Sequence, residues 1–406
     1  LILLAVFIIG AVLGIVLQKQ NQQTWAIYVK GDGLYTRSLT KDKTPLLLAE
    51  GTDISAPLLS PDRKQAAYIQ EGRLILHDVK KGEGIVVTEN PRSFLFDQKN
   101  RLVVADINGK VFRADKKGNQ TPVGGDGVYQ DLVLSPNGTL YAHAYEKLNR
   151  GSQVVLRPVG IMREENGGWV SVLDGRKQSP SERDLGFAPK LAAFSKDGEQ
   201  AYIFHCPQSA ALSADGVSMG VLDIKTGVYT APTDTEQVLL PDRSLLSGSD
   251  VMGELAVTLG FGRNMNKQKS VGILRPADGS FRPASGEGMT AMMPSLSESG
   301  DRLLYITAKE EADMDQWMRL PKSVIQVNLT TGEIDTCSKE NTVYLSPFFY
   351  EKDKLIGALR QEQDGTFSIV KITAEEESVL DTGLICDLTG AQYGQIPIGQ
   401  FFSKNR

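Results

Sequence analysis

Apolar positions follow two regimes along this chain. Residues 1–17 carry no charged or polar side chain, and the polar run Gln18-Lys19-Gln20-Asn21-Gln22-Gln23 ends that pattern abruptly. As a helix rising ~1.5 Å per residue, the segment would reach about 26 Å, close to the ~30 Å hydrocarbon core of a bilayer. This predicts a transmembrane helix over residues 1–17 and a polar linker over 18–24. A secretory signal would end in a small-residue cleavage site, and Gly14-Ile15-Val16-Leu17-Gln18 offers no Ala-x-Ala pattern. From Trp25 onward the pattern shortens. Segments such as Gln200-Ala201-Tyr202-Ile203-Phe204 suit half-buried antiparallel strands. A large β region behind one N-terminal anchor is expected on the extracytoplasmic side, in a single-pass, membrane-anchored protein.

The β region repeats itself. An apolar stretch leads into a Ser-opened turn and then a strand with Tyr. Copies are Leu58-Leu59-Ser60-Pro61-Asp62-Arg63 to Tyr68, Val133-Leu134-Ser135-Pro136-Asn137-Gly138 to Tyr141, Ala193-Phe194-Ser195-Lys196-Asp197-Gly198 to Tyr202, and Ser295-Leu296-Ser297-Glu298-Ser299-Gly300 to Tyr305. The Ser or Asp oxygen caps the turn, Pro presets φ, and Asn, Asp or Gly tolerates the left-handed residue that follows. Weaker copies are centred on Asp97, Pro241-Asp242-Arg243 and Ser346. A second turn signature closes the next hairpin at Asp78–Gly82, Asp115–Gly118, Asp223–Gly227 and Asn328–Gly332. Each unit therefore reads as four short antiparallel strands.

These Ser-Pro-Asp-Gly turns and aromatic strands resemble the repeats of TolB-type β-propellers, over residues 25–406. The resemblance implies an all-β propeller of four-stranded blades and is nearly silent on activity. Anchors at 60, 97, 135, 195, 241, 297 and 346 give seven units. Strands near Trp25–Lys30, Leu34–Leu39 and Pro45–Ala49, joined by a C-terminal strand around Gln392–Phe402, would close the ring as an eighth. Eight units take about 48 residues each and seven about 55, against roughly 40–50 for typical blades. Eight is the expected number, with seven as the runner-up. Later units are longer between their second and third strands, where binding loops on β scaffolds concentrate.

Composition explains the turns and limits the chemistry. The 40 Gly and 18 Pro are spread without a collagen-like period, as frequent tight turns require. With 44 Lys and Arg against 49 Asp and Glu, the net charge of −5 excludes a nucleic-acid binder that relies on bulk positive charge. Three Cys cannot build a disulfide framework, and three His on different units make a poor metal set. Cys337 and Cys386 are a conceivable pair on neighbouring units.

Gly216-Val217-Ser218-Met219-Gly220 matches a nucleophile elbow, but a strand rather than a helix follows it. No catalytic residue, metal or cofactor is therefore expected. The strongest binding candidate is the insertion at 309–319. Acidic residues near its start and Arg319 at its end predict a short helix, with Met314, Trp317 and Met318 at i, i+3 and i+4. That face either packs on its own unit or meets a partner. Trp169 and Arg263 are further candidates for a partner surface. The sequence thus predicts a protein-interaction or scaffolding subunit of a membrane complex, with a carbohydrate or peptide receptor, or a propeller enzyme, as alternatives.

Overall fold

In the computed structural model, the described residues are 24–386 and 402–403, except residue 42 and segments 151–152, 178–184, 210–215, 233–238, 240–241 and 248–249. The predicted membrane segment and all of its linker except Thr24 lie outside them. Among the described residues no helix is long and apolar enough to cross a membrane.

The chain forms seven antiparallel sheets among these residues, here numbered in chain order. Sheets 1 to 6 span residues 54–89, 93–123, 128–174, 188–230, 255–283 and 289–336. Sheet 7 holds eight strands. Its four strands over residues 344–384 join three over 25–50 through one residue pair, Lys30↔Leu384. Phe402–Ser403 pairs with Ala26 and Trp25, so the last described strand lies beside the first.

The core divides between neighbouring sheets. Each hydrophobic cluster joins consecutive sheets: Tyr68 with Ile27 and Leu34, Val104 with Ala67 and Leu76, Leu140 with Val103 and Val111. Ile203 then joins Tyr141 and Ile161, Val257 joins Tyr202 and Phe204, and Tyr305 joins Ala256 and Ile273. The last cluster takes in Met292 and Ile306, then Phe349 and Ile369, then Ala26 and Tyr28. Sheet follows sheet around a closed ring, so no sheet carries a core of its own.

The Ser-led turns show why that residue recurs. The buried hydroxyl of Ser297 accepts from Arg302 N at 2.9 Å and donates to Asp301 at 3.0 Å. Ser60, Ser135 and Ser195 repeat both bonds with Gln65 and Asp62, Thr139 and Asn137, and Gln200 and Asp197. One side chain thereby satisfies the first amide of the next strand and fixes the turn's carboxylate or amide. Asp97 does the same work in sheet 2, accepting from Lys99 N and Arg101 N.

Two expected turns are misplaced. Ser346 lies inside the strand Tyr344–Tyr350, and the turn falls at Glu351–Asp353. The reason is a bulge: the first strands of sheets 1, 3, 6 and 7 each carry a left-handed residue, namely Ala56, Asp131, Met293 and Ser346, with φ of 49–56°. Tyr350, four residues on, stands where the other turns have Ser. In sheet 5, Arg243–Leu245 is a 3₁₀ turn, and the hairpin turn is Val251–Glu254. None of the three cysteines is in a disulfide; Cys337 and Cys386 both pack against the last cluster, and the conceived bridge between them is not formed.

Candidate binding site

Antiparallel alternation puts every first-to-second turn at one end of the sheets and every second-to-third connection at the other. The first end is all tight turns, and these are tied together. Asp62 N donates to Asn100 Oδ1, Gln98 Nε2 to the Pro136 carbonyl, Lys196 N to Asp250 and Glu298 N to Asp353. The opposite end carries the insertions. They are the long hairpin Leu140–Arg150 and Gln153–Glu165, the 260–269 loop and the 310–322 insertion.

The 310–322 insertion contains the helix α1, Met314–Arg319, capped by Asp313, whose carboxylate accepts from Gln316 N at 2.8 Å. Its apolar face turns inward. Trp317 is 1 % exposed and sits in the last core cluster, with Met314 and Met318 packed against it. Trp317 is therefore a wall of the molecule and not an exposed contact, while Arg319 at the helix end is exposed.

Lys322 completes the turn after α1. The residue is 2 % exposed, and its ammonium donates to the carbonyls of Trp317, Met318 and Leu320 at 3.0, 3.1 and 3.1 Å. Cations are favoured at a helix C-terminus because its last carbonyls are unpaired. Burial still pushes the lysine down to about 8. Lys322 also stitches two sheets: its N–H donates to the Thr342 carbonyl, and its carbonyl accepts from Tyr344 N.

Above that seam lies a cavity of about 460 Å³ between sheets 6 and 7. Met292, Met293, Leu345 and Phe367 are among its apolar walls; Arg319, Gln361 and Gln363 are among its polar ones. Glu362 also lines it, but Arg360 and Ser368 already occupy its Oε1. The indole nitrogen of Trp317 has no hydrogen-bond partner among the described residues.

The structure brings only some of the sequence candidates together. Met318, Trp317 and Arg319 line the cavity. Met314 supports it from the core. The loop bearing Arg263 reaches the same insertion: Asn266 Nδ2 donates to the Glu311 and Ala312 carbonyls at 2.7 and 3.1 Å. Beside Arg263, Phe261 is 71 % exposed. Trp169 stands elsewhere, on the outer strand of sheet 3, packed on Tyr129 with ring centres 4.9 Å apart and planes tilted by 30°. It also covers Gly124, where a Cβ would come within 2.0 Å of the indole. Its role in that place is packing between sheets 2 and 3. Lys322 and the stretch Gln361–Phe367 had no periodic or motif signal, apart from the polar turn Gln363-Asp364-Gly365.

Two of the three histidines and the elbow serine are engaged locally, whereas the buried Nε2 of His77 has no hydrogen-bond partner among the described residues. Leu191 N donates to His143 Nε2 at 2.9 Å, which leaves Nδ1 to donate to Asp131 at 3.1 Å. His205 bonds Tyr229 and stacks on Phe187. Ser218 opens a strand paired with His205, so the apparent elbow is an ordinary ladder position. Among the described residues no group of His, Cys, Asp and Glu could hold a metal ion.

No family model and no curated protein matches the sequence. Solved structures do. Dipeptidyl peptidase 4 of Porphyromonas gingivalis matches at a TM-score of 0.58 and 9 % identity, over 89 % of this chain and 58 % of that one. The dihydro-heme d1 dehydrogenase NirN gives 0.57 and 11 %, over 89 % and 73 %. A puromycin-hydrolyzing peptidase of Mycobacterium tuberculosis gives 0.51 and 13 %, over 90 % and 54 %. The chain thus spans little more than half of each peptidase. Likeness this distant shows the fold alone: the protein has the fold of a β-propeller.

Proposed function

We propose that this protein is a TolB-type propeller of eight blades, working as a non-catalytic interaction or scaffolding subunit of a membrane complex. Sheet 7 counts as two blades because its halves share one residue pair. The Ser-led turns support the TolB-type assignment.

The inequality of the two ends carries the functional reading. One end is a chain of tied turns; the other gathers the hairpin of sheet 3, the 260–269 loop, α1 and the cavity. Rigid scaffolds place binding residues on such loops. Exposed Phe261, Arg263 and Arg319 are of the types that anchor protein interfaces.

The route of the chain orients this surface. Trp25 begins a strand at the tight-turn end, where the Arg63 guanidinium lies 5.4 Å from its ring centre. A linker of seven residues reaches roughly 25 Å at most. With residues 1–17 in a bilayer, the tied turns face the membrane and the insertions face away, on the extracytoplasmic side.

Photo-crosslinking amino acids at Phe261, Arg319 and, as a control, Lys99 in a tight turn test this in mild detergent. The expected result is a stoichiometric protein adduct from the first two and none from the third. A solitary, monodisperse chain without adducts defeats the reading. The cavity's size also favours a second reading, a receptor for a peptide or small ligand, since such sites run about 300–1,000 Å³.

A further inference from the structure

The cavity between sheets 6 and 7 has apolar walls and a surplus of positive charge. Arg319 is exposed at its rim and makes no ion pair among the described residues. Lys322 lies in its wall, its ammonium bonded to three carbonyl oxygens and set over the Trp317 ring, with no carboxylate bonded to it. The one lining carboxylate, Glu362, is neutralised by the Arg360 guanidinium at 2.7 Å and further bonded by the Ser368 hydroxyl. Arg360 itself is shared with Glu377 at 2.6 Å. Gln361 and Gln363 add uncharged amides. A buried cation without a counter-charge is costly, and an anion brought into an adjacent low-dielectric cavity offsets that cost.

We propose that this cavity binds an apolar anion: an aliphatic or aromatic group bearing one carboxylate or similar charge, held between Arg319 and the Lys322 wall. The apolar part rests on Met292, Met293, Leu345 and Phe367. The volume of about 460 Å³ suits a ligand of one or two bulky side chains. A free amphipathic acid and an acidic-apolar segment of a protein partner share this chemistry. The inference rests on the reading of the insertion-bearing end as a binding surface, and it adds the sign of the charge.

A matched pair of fluorescent probes tests it on the full chain in detergent: 8-anilinonaphthalene-1-sulfonate and its uncharged counterpart N-phenyl-1-naphthylamine. The anionic probe is expected to bind one per chain and at least tenfold more tightly. Arg319→Glu, at an exposed position, should weaken the anionic probe about tenfold and leave the neutral probe within twofold. Lys322→Met should act in the same direction. Displacement of the anionic probe by octanoate alone assigns the site to free acids. Displacement by acetyl-Gly-Leu-Asp-Leu-Gly amide, but not by its Asn counterpart, assigns it to a partner segment. Displacement by neither overturns the proposal. Equal binding of the two probes, unmoved by Arg319→Glu, overturns the charge inference and leaves the cavity a site. Failure of both probes to bind removes the site itself, while the crosslinking experiment still judges the binding end separately.

Discussion

The ammonium of Lys322 lies 4.5 Å from the ring centre of Trp317 and donates to that residue's own carbonyl. Two contacts between the same pair fix the end of α1 against the seam of sheets 6 and 7. The tryptophan forms the wall, and the lysine keeps the six-residue helix closed at its last turn.

Removing the wall should therefore cost stability. Trp317→Ala is expected to destabilise the propeller by about 3–5 kcal/mol, the usual range for a buried aromatic truncated to Ala. Urea unfolding followed by circular dichroism measures it. A change below about 1 kcal/mol would place Trp317 outside the cooperative core.

The Asn266 clasp ties the loop of sheet 5 to the insertion of sheet 6. Asn266→Ala removes two bonds to the Glu311 and Ala312 carbonyls, so local opening of 309–313 should become more frequent. Limited proteolysis with endoproteinase Glu-C, which can cut at Glu310 and Glu311, should run several-fold faster while the urea midpoint moves little. Equal cleavage rates would show that the Asn266 side chain does not hold the insertion closed.

Ser297→Ala deletes the acceptor for Arg302 N and the donor to Asp301. A buried amide left unpaired costs about 1–3 kcal/mol. The same substitution at exposed Ser299 should cost under about 0.5 kcal/mol. Comparable losses at the two sites would contradict the role assigned to the turn hydroxyl.

Acid should weaken the fold through His143. Burial holds its pKa below the ordinary value, with Arg243 and Lys190 opposing its charge and Asp131 favouring it. Hydrogen bonds from His143 and Tyr145 hold Asp131 low. On the acid side the unfolded chain binds more protons at both residues than the folded chain does. Stability is thus full above about pH 6.5 and falls as the pH drops below it, by ~1.4 kcal/mol for each unit of displacement at the histidine. Denaturation midpoints at pH 7 and pH 5 should differ more in the wild type than in His143→Gln, which can keep both hydrogen bonds. An equal difference in the two proteins would remove His143 as the cause.

Local chemistry made most of the fold legible. Ser60, Ser135, Ser195 and Ser297 mark turns because the hydroxyl bonds atoms within five residues of itself. Asp78–Gly82, Asp115–Gly118, Asp223–Gly227 and Asn328–Gly332 mark the second turns for the same reason. The signal failed at Ser346, where a bulge residue imitates the turn serine. In sheet 5 it failed at Asp242, because the tie to the neighbouring turn comes from Asp250 eight residues later. The helix at Met314–Arg319 was legible from spacing, but its direction was not: the same three apolar residues fit a core or a partner.

The sequence by itself determined the alternation of strands and turns and the position of the insertions, since each depends on neighbours along the chain. The cavity was decided only by tertiary structure. Met293, Lys322, Leu345 and Phe367 are separated by up to 74 residues and become one wall only when two sheets pack. Packing also settled which cations keep a counter-charge, because Glu362 is claimed by Arg360, while Lys322 is held by carbonyls in the cavity wall and Arg319 makes no ion pair among the described residues.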